Sequence, residues 1–146
     1  MSSFKQLGAA VALSSLALIA AAAPQTYNID STHTFPRFSY SHFGYSTQLS
    51  SFSNTKGTVV LDAQAHTASV DVEIDIKSVN TGFADFNEHL QGADFLDSTR
   101  FPKATFKSTR VVFEGDKPKA IEGQLTIKGV TKPITLTVTS FQAMPH

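Results

Sequence analysis

Residues 70–76 read Val-Asp-Val-Glu-Ile-Asp-Ile, a strict alternation of apolar and acidic side chains. Successive side chains of a strand point to opposite faces, so this pattern builds one dry face and one wet face. A helix would scatter both around its circumference. Ile134, Leu136 and Val138 alternate with Thr135, Thr137 and Thr139 in the same way, and Leu125 and Ile127 sit between Gln124, Thr126 and Lys128. Further strand-like runs occupy residues 35–43, 48–61 and 104–113. The breaks have turn chemistry: Asp62-Ala63-Gln64-Ala65-His66, Gly115-Asp116-Lys117-Pro118 and Gly129-Val130-Thr131-Lys132-Pro133. The pattern predicts about six long strands in a mostly antiparallel meander.

One segment changes period. Phe83, Phe86 and Leu90 fall at i, i+3 and i+7, which marks one face of a short helix over residues 83–92. Thr81 is its expected N-cap and Gly92 its expected left-handed stop. Phe101-Pro102 then returns the chain to an extended path, because proline disfavours helix at the residue before it. A single helix is too little to cover the apolar side of so many strands, and a sheet closed on itself is the economical alternative. About eight strands close around an interior that holds one small ligand. Six do not close comfortably.

The N-terminal segment stands apart. Lys5 supplies a positive charge, residues 7–13 and 16–23 are apolar apart from Gly8, and the run ends in Ala20-Ala21-Ala22-Ala23 before Pro24. That order is the pattern of a secretory signal peptide, expected to span residues 1–22 with cleavage after Ala22, leaving one domain over 23–146. The run is short of the ~20 continuous apolar residues of a membrane anchor, so no stable membrane insertion is expected. Lys plus Arg and Asp plus Glu both number 12, a balance that gives no basic surface for nucleic acid. With no cysteine, disulfides, thiolate metal sites and thiol catalysis fall away together.

Three blocks carry a resemblance. The first is Tyr27-Asn-Ile-Asp-Ser-Thr-His33 leading to Phe38-Ser-Tyr-Ser-His42-Phe-Gly44. The second is Ser78-Val-Asn-Thr81, followed by His89-Leu90, Ala93-Asp94-Phe95-Leu96, Phe101-Pro102 and Phe106-Lys-Ser-Thr109. The third is Gly123-Gln-Leu-Thr-Ile-Lys-Gly129-Val-Thr-Lys-Pro133. In this order they resemble the YceI-like, or polyisoprenoid-binding, family of bacterial periplasmic proteins. The resemblance implies an all-β, lipocalin-like antiparallel β-barrel with one short helix, and a long isoprenoid or similar lipid held inside it. It also implies a periplasmic location. Two departures stand out: Phe86 and Asn87 take the place of the family's Arg-Asp pair, and Ser50-Ser51-Phe52 that of its Gly-x-Phe. Relatives continue for about two strands beyond the third block, so the domain is expected to be C-terminally incomplete. Open edges near residues 35–43 and 133–141 would then allow a homo-oligomer to form.

Twelve phenylalanines and no tryptophan give this chain an unusual supply of large flexible rings. Any one of them can simply fill a core. Together with the inward strand positions, the expected ligand-binding set is Phe38, Tyr40, Phe43, Phe52, Val72, Ile74, Phe86, Leu90, Phe95, Phe106, Leu125 and Ile127. No catalytic residue, metal site or cofactor is expected. His33, His42, His66, His89 and His146 show no H-x-x-x-H spacing, and no serine lies in a G-x-S-x-G elbow. His33 and His42 read as structural, and His66 and His146 as exposed. The competing classes are a β-sandwich adhesion or interaction module without a lipid ligand and a small hydrolase. The module does not account for the isolated helix or the phenylalanine excess, and the hydrolase lacks the motif spacings above.

Overall fold

The computed structural model describes residues 23–144. The expected signal peptide and its cleavage point, together with Pro145 and His146, lie outside these residues. The strands are β1 (Gln25–Asn28), β2 (Arg37–His42), β3 (Ser46–Phe52), β4 (Thr55–Asp62), β5 (Thr67–Asp75), β6 (Val79–Asn80), β7 (Lys103–Glu114), β8 (Lys117–Ile127) and β9 (Val130–Thr137). One helix, α1 (Ala84–Gln91), lies between β6 and β7. The strands form two antiparallel sheets, one in the order β1-β4-β5-β7-β8-β9 and one in the order β2-β3-β6. The chain is thus mostly antiparallel β with one helix, and its sheets are not closed into a continuous barrel.

The alternation at residues 70–76 does what it predicts. Val72 pairs with Gly57 on one side and Phe106 on the other, and Ile74 with Thr55 and Ala104. On the opposite face Asp71 meets Lys107 at 2.6 Å and Glu73 meets Lys103 at 2.8 Å. These ion pairs are solvent-exposed, each worth at most about 1 kcal/mol, and they keep the outer face wet. β7 and β8 are long and carry two register shifts, between Ser108 and Arg110 and between Val112 and Phe113. Bulges of this kind bend a strand and increase its twist, which curls the larger sheet.

The run at residues 48–61 resolves into two strands in different sheets. The break falls at Ser53-Asn54, where the Asn54 N–H donates to Ser78 Oγ, its amide donates to Asp75 Oδ2, and its carbonyl accepts from the Asp75 N–H. This corner passes the chain from the smaller sheet to the larger. β1 and β6 went unread because each is too short to show a period. Among the described residues the buried apolar side chains are few (Ile76, Val79, Leu90, Ala104 and Phe106), since the inward face of each sheet is only partly covered.

The helix is where predicted, but its ends differ. The N-cap is Phe83, in extended conformation, and it makes no side-chain capping bond. Thr81 acts from outside the helix instead. Its N–H and hydroxyl both donate to Asn87 Oδ1 at 2.8 Å, and its Oγ1 accepts from the Phe83 N–H at 3.2 Å. Gly82, at φ 82°, supplies the left-handed turn that displaces Thr81 from the capping position. Gly92 is extended (φ −66°, ψ 166°), not left-handed. Its N–H still donates to the His89 carbonyl at 3.1 Å, while Leu90 is taken up by the Leu96 N–H and Gln91 by the Ser98 N–H, and the left-handed residue is Asp97.

Candidate functional site: an apolar cavity between the two sheets

A cavity of about 1000 Å³ lies between the sheets. Its floor is the inward face of the larger sheet: Val70, Val72 and Ile74 from β5 with Ile76 from the turn just after it, Ala104 and Phe106 from β7, Leu125 and Ile127 from β8, and Ile134 and Leu136 from β9. Phe38 and Phe52 reach it from the smaller sheet, and Leu90, Phe95 and Leu96 from the helix and the loop after it. The segment at residues 33–37 forms one rim. Phe106 has room to lie flat because β8 carries Gly123 beside it. A Cβ there would stand 2.5 Å from the Phe106 ring and 2.5 Å from the Lys107 carbonyl oxygen.

Two free strand edges border this space. β2 pairs only with β3, and β9 only with β8. Residues of both strands line the cavity, which is therefore open along the seam where the two sheets fail to join.

Polar chemistry in the cavity is sparse. His33 and Arg37, at the rim, are the lining residues with titratable side chains. His33 Nδ1 lies 2.7 Å from Asp30 Oδ2. The Asp30 carboxyl is lowered to about 2, first by the hydrogen bond from the Thr32 hydroxyl and then by the one to His33. Thr55 is wholly buried, and its Oγ1 has no hydrogen-bond partner.

Of the residues expected to touch a ligand, Phe38, Phe52, Val72, Ile74, Leu90, Phe95, Phe106, Leu125 and Ile127 line the large cavity. Tyr40 and Phe86 do not. They line a neighbouring pocket of about 500 Å³ with His42, Gln48, Thr81, Phe83, Asp85 and His89. An aromatic row joins the two spaces: Phe52 to Phe38 (5.6 Å between centroids), Phe38 to Tyr40 (6.3 Å), Tyr40 to Phe86 (5.9 Å), Phe86 to His89 (6.0 Å) and His89 to Phe95 (4.7 Å). Phe43 lies in neither space. It sits at the tip of the β2–β3 hairpin, 85% exposed, because the alternation that turns Phe38, Tyr40 and His42 inward puts position 43 on the other side, and the chain reverses there. Sequence reasoning passed over Ile134 and Leu136 as lining residues, although their alternation with threonines was the available signal. It also passed over the rim at 33–37, which has no periodic pattern to betray it.

The other histidines have ordinary partners. His66 is exposed, as expected; its Nε2 lies 2.9 Å from Asp116 Oδ1 and its ring stacks on Phe113. His42 packs edge-on against Phe43. Among the described residues no group of three or more His, Cys, Asp or Glu side chains is arranged to hold a metal ion.

Two antiparallel sheets facing each other across an apolar interior, with one helix at the side, define a protein of the lipocalin-like barrel class. Within that class the match is specific, and the chain belongs to the YceI-like domain family, whose model fits residues 27–144. It is 43% identical over 113 residues to Protein YceI of Shigella flexneri, an alignment covering 75% of this chain and 59% of that protein. The same figures hold for Protein YceI of Salmonella arizonae. The chain thus spans about three-fifths of the length of the curated relatives it matches. Among solved structures it is similar to BcnA of Burkholderia cenocepacia, with a TM-score of 0.69 and 25% identity over 80% of this chain and 73% of that one. The YceI protein of Campylobacter jejuni aligns with a TM-score of 0.58 and 32% identity over 75% and 64% of the respective chains. Among the described residues no helix is long and apolar enough to cross a membrane.

Proposed function

We propose that this protein holds a long-chain amphiphilic lipid of the polyisoprenoid class in the cavity between its sheets, and that it does so in the periplasm. The observation that carries the reading is the lining: a space of about 1000 Å³ walled almost throughout by Val, Ile, Leu, Ala and Phe. That volume is at the upper end of the roughly 300–1,000 Å³ range of small-molecule sites, and the low polarity selects a hydrocarbon tail. Membership in the YceI-like family supports the same class of ligand. The tail would contact Phe38, Phe52, Val72, Ile74, Leu90, Phe95, Phe106, Leu125 and Ile127, with Ile134 and Leu136 added from β9. Tyr40 and Phe86 would meet the part of the ligand nearest the smaller pocket. Export by the segment at residues 1–22 supports the periplasmic location.

Energetics favour the tail over the head. Burying about twelve methylenes at about 0.8 kcal/mol each gives on the order of 10 kcal/mol gross. A charged head group adds about 1.5–3 kcal/mol through one hydrogen bond. Association costs several kcal/mol, which leaves roughly micromolar binding from the tail alone. On this reading the protein acts by binding, in keeping with its membership in the YceI-like family. The test is mass spectrometry of lipid extracted from protein purified from its own envelope, together with titration of prenols of increasing length. Co-purified isoprenoid and affinity that climbs with chain length are the expected results. A lipid-free preparation with length-independent affinity would show the cavity wall to be ordinary core.

A further inference from the structure

The β2–β3 hairpin differs from the rest of the surface. From Phe38 to Thr55 the sequence contains no Asp, Glu, Lys or Arg, in a chain with 12 residues of each sign. Its tip exposes large apolar side chains instead, Phe43 at 85% and Tyr45 at 91%, and Leu49 stands 62% exposed further along β3. Phe83, 62% exposed, joins the inner face of this hairpin in the smaller pocket.

The turn chemistry makes the choice of residue pointed. Phe43 and Gly44 both have positive φ (52° and 80°), and the Tyr45 N–H closes the turn on the His42 carbonyl at 3.0 Å. A bulky residue is a poor occupant of the left-handed region, where Gly, Asn and Asp are favoured. Folding alone would put Asn or Asp at position 43. Phenylalanine is strained there and also exposed, so it helps neither the turn nor the core.

We infer that this hairpin tip docks on the surface of a lipid bilayer without net charge. Aromatic side chains settle at the interface between head groups and acyl chains, and a segment without charges has no ion to desolvate on entering it. With no Lys or Arg between Phe38 and Thr55, attraction of the tip to anionic lipid is not the driving force. A second copy of the chain is a poorer occupant, because a hairpin tip offers far fewer side chains than the roughly 20–30 residues a side of a stable protein interface. The inner face of the same hairpin continues from the tip through His42 and Tyr40 to Phe38, which lines the large cavity. That row gives a lipid an aromatic path between bilayer and cavity. This last step rests on the lipid-binding function, whereas docking does not.

The experiment uses the whole chain with vesicles of phosphatidylcholine, alone or mixed with phosphatidylglycerol. The chain has no tryptophan, so Phe43→Trp places a reporter at the tip and Tyr27→Trp, on β1 of the larger sheet, serves as the reference. Vesicles should shift the emission of Phe43→Trp to the blue and expose it to quenching by lipid-borne bromine, leaving Tyr27→Trp unchanged. Phe43→Asn with Tyr45→Ser should reduce co-sedimentation with phosphatidylcholine vesicles at least five-fold while thermal stability holds or rises, because Asn suits the left-handed turn. Prenol titration run alongside reads the cavity separately. The inference is overturned if the tip reporter does not respond or if the double variant co-sediments as well as the parent. It is equally overturned if binding requires phosphatidylglycerol, or if the tip substitutions instead dissolve a dimer.

Discussion

Phe106 of β7 stands directly across from Val72 of β5, and its ring occupies the space that a side chain at position 123 would need. The floor of the cavity is therefore set by a pair of apolar residues and by an absence beside them. Gly123→Ala places a methyl group 2.5 Å from both the Phe106 ring and the Lys107 carbonyl. Overpacking of this kind costs about 1–3 kcal/mol. Urea denaturation should show a lower midpoint with an unchanged slope, and prenol affinity should fall as the displaced ring enters the cavity.

The two faces of β5 give a paired test. Ile74→Glu puts an unpaired carboxylate into the apolar space and should abolish prenol binding. Glu73→Gln removes only an exposed ion pair with Lys103 and should leave affinity within about two-fold. Fluorescent-prenol titration of both variants distinguishes a lipid-lined wall from a plain core, for which the two losses would be alike.

Free edges on β2 and β9 expose unpaired backbone donors and acceptors. The 146-residue chain should self-associate through them, in a concentration-dependent manner visible by sedimentation velocity. Lysine at Ser39 and Thr135, one on each edge strand, should shift the distribution toward monomer. An unchanged distribution would place any association elsewhere on the surface.

The turn at Asp30 should hold its contacts deep into the acid range. Asp30 has its folded-state pKa depressed to about 2, so its contribution is present above the unfolded value of about 3.9 and is lost as pH falls through the folded one. The Thr32 amide and hydroxyl contacts should therefore persist from neutral pH to about pH 4 and give way near pH 2. The amide chemical shift of Thr32 followed by NMR reports this directly, and in Asp30→Asn that titration should disappear.

What the sequence revealed depended on period. Val70, Val72, Ile74 and Ile76 announced their strand and its inward face, and the cavity floor follows from them. Phe86 and Leu90 announced the helix. Thr81 and Gly92 misled because capping depends on backbone angles that residue type only biases, and Gly82 took the turn that would have made Thr81 the cap. Phe43 misled for a different reason: its size suggested a lining role, but the alternation that turns Phe38, Tyr40 and His42 inward leaves position 43 facing out, at the hairpin tip. The division of residues 48–61 between two sheets was hidden because a corner held by Asn54, Asp75 and Ser78 is made by partners distant in sequence.

That corner matters beyond topology. Among the described residues no strand of the smaller sheet is hydrogen-bonded to a strand of the larger, and the chain crosses between them four times, at residues 29–36, 53–54, 76–78 and 81–102. The two walls of the cavity are thus separate leaves tied by four connections, and no ladder hydrogen bond spans them. A closed barrel has a bore fixed by its strand number and stagger. Here no stagger fixes the gap: among the described residues it is held by the packing of side chains between the leaves and by the connections that tie them.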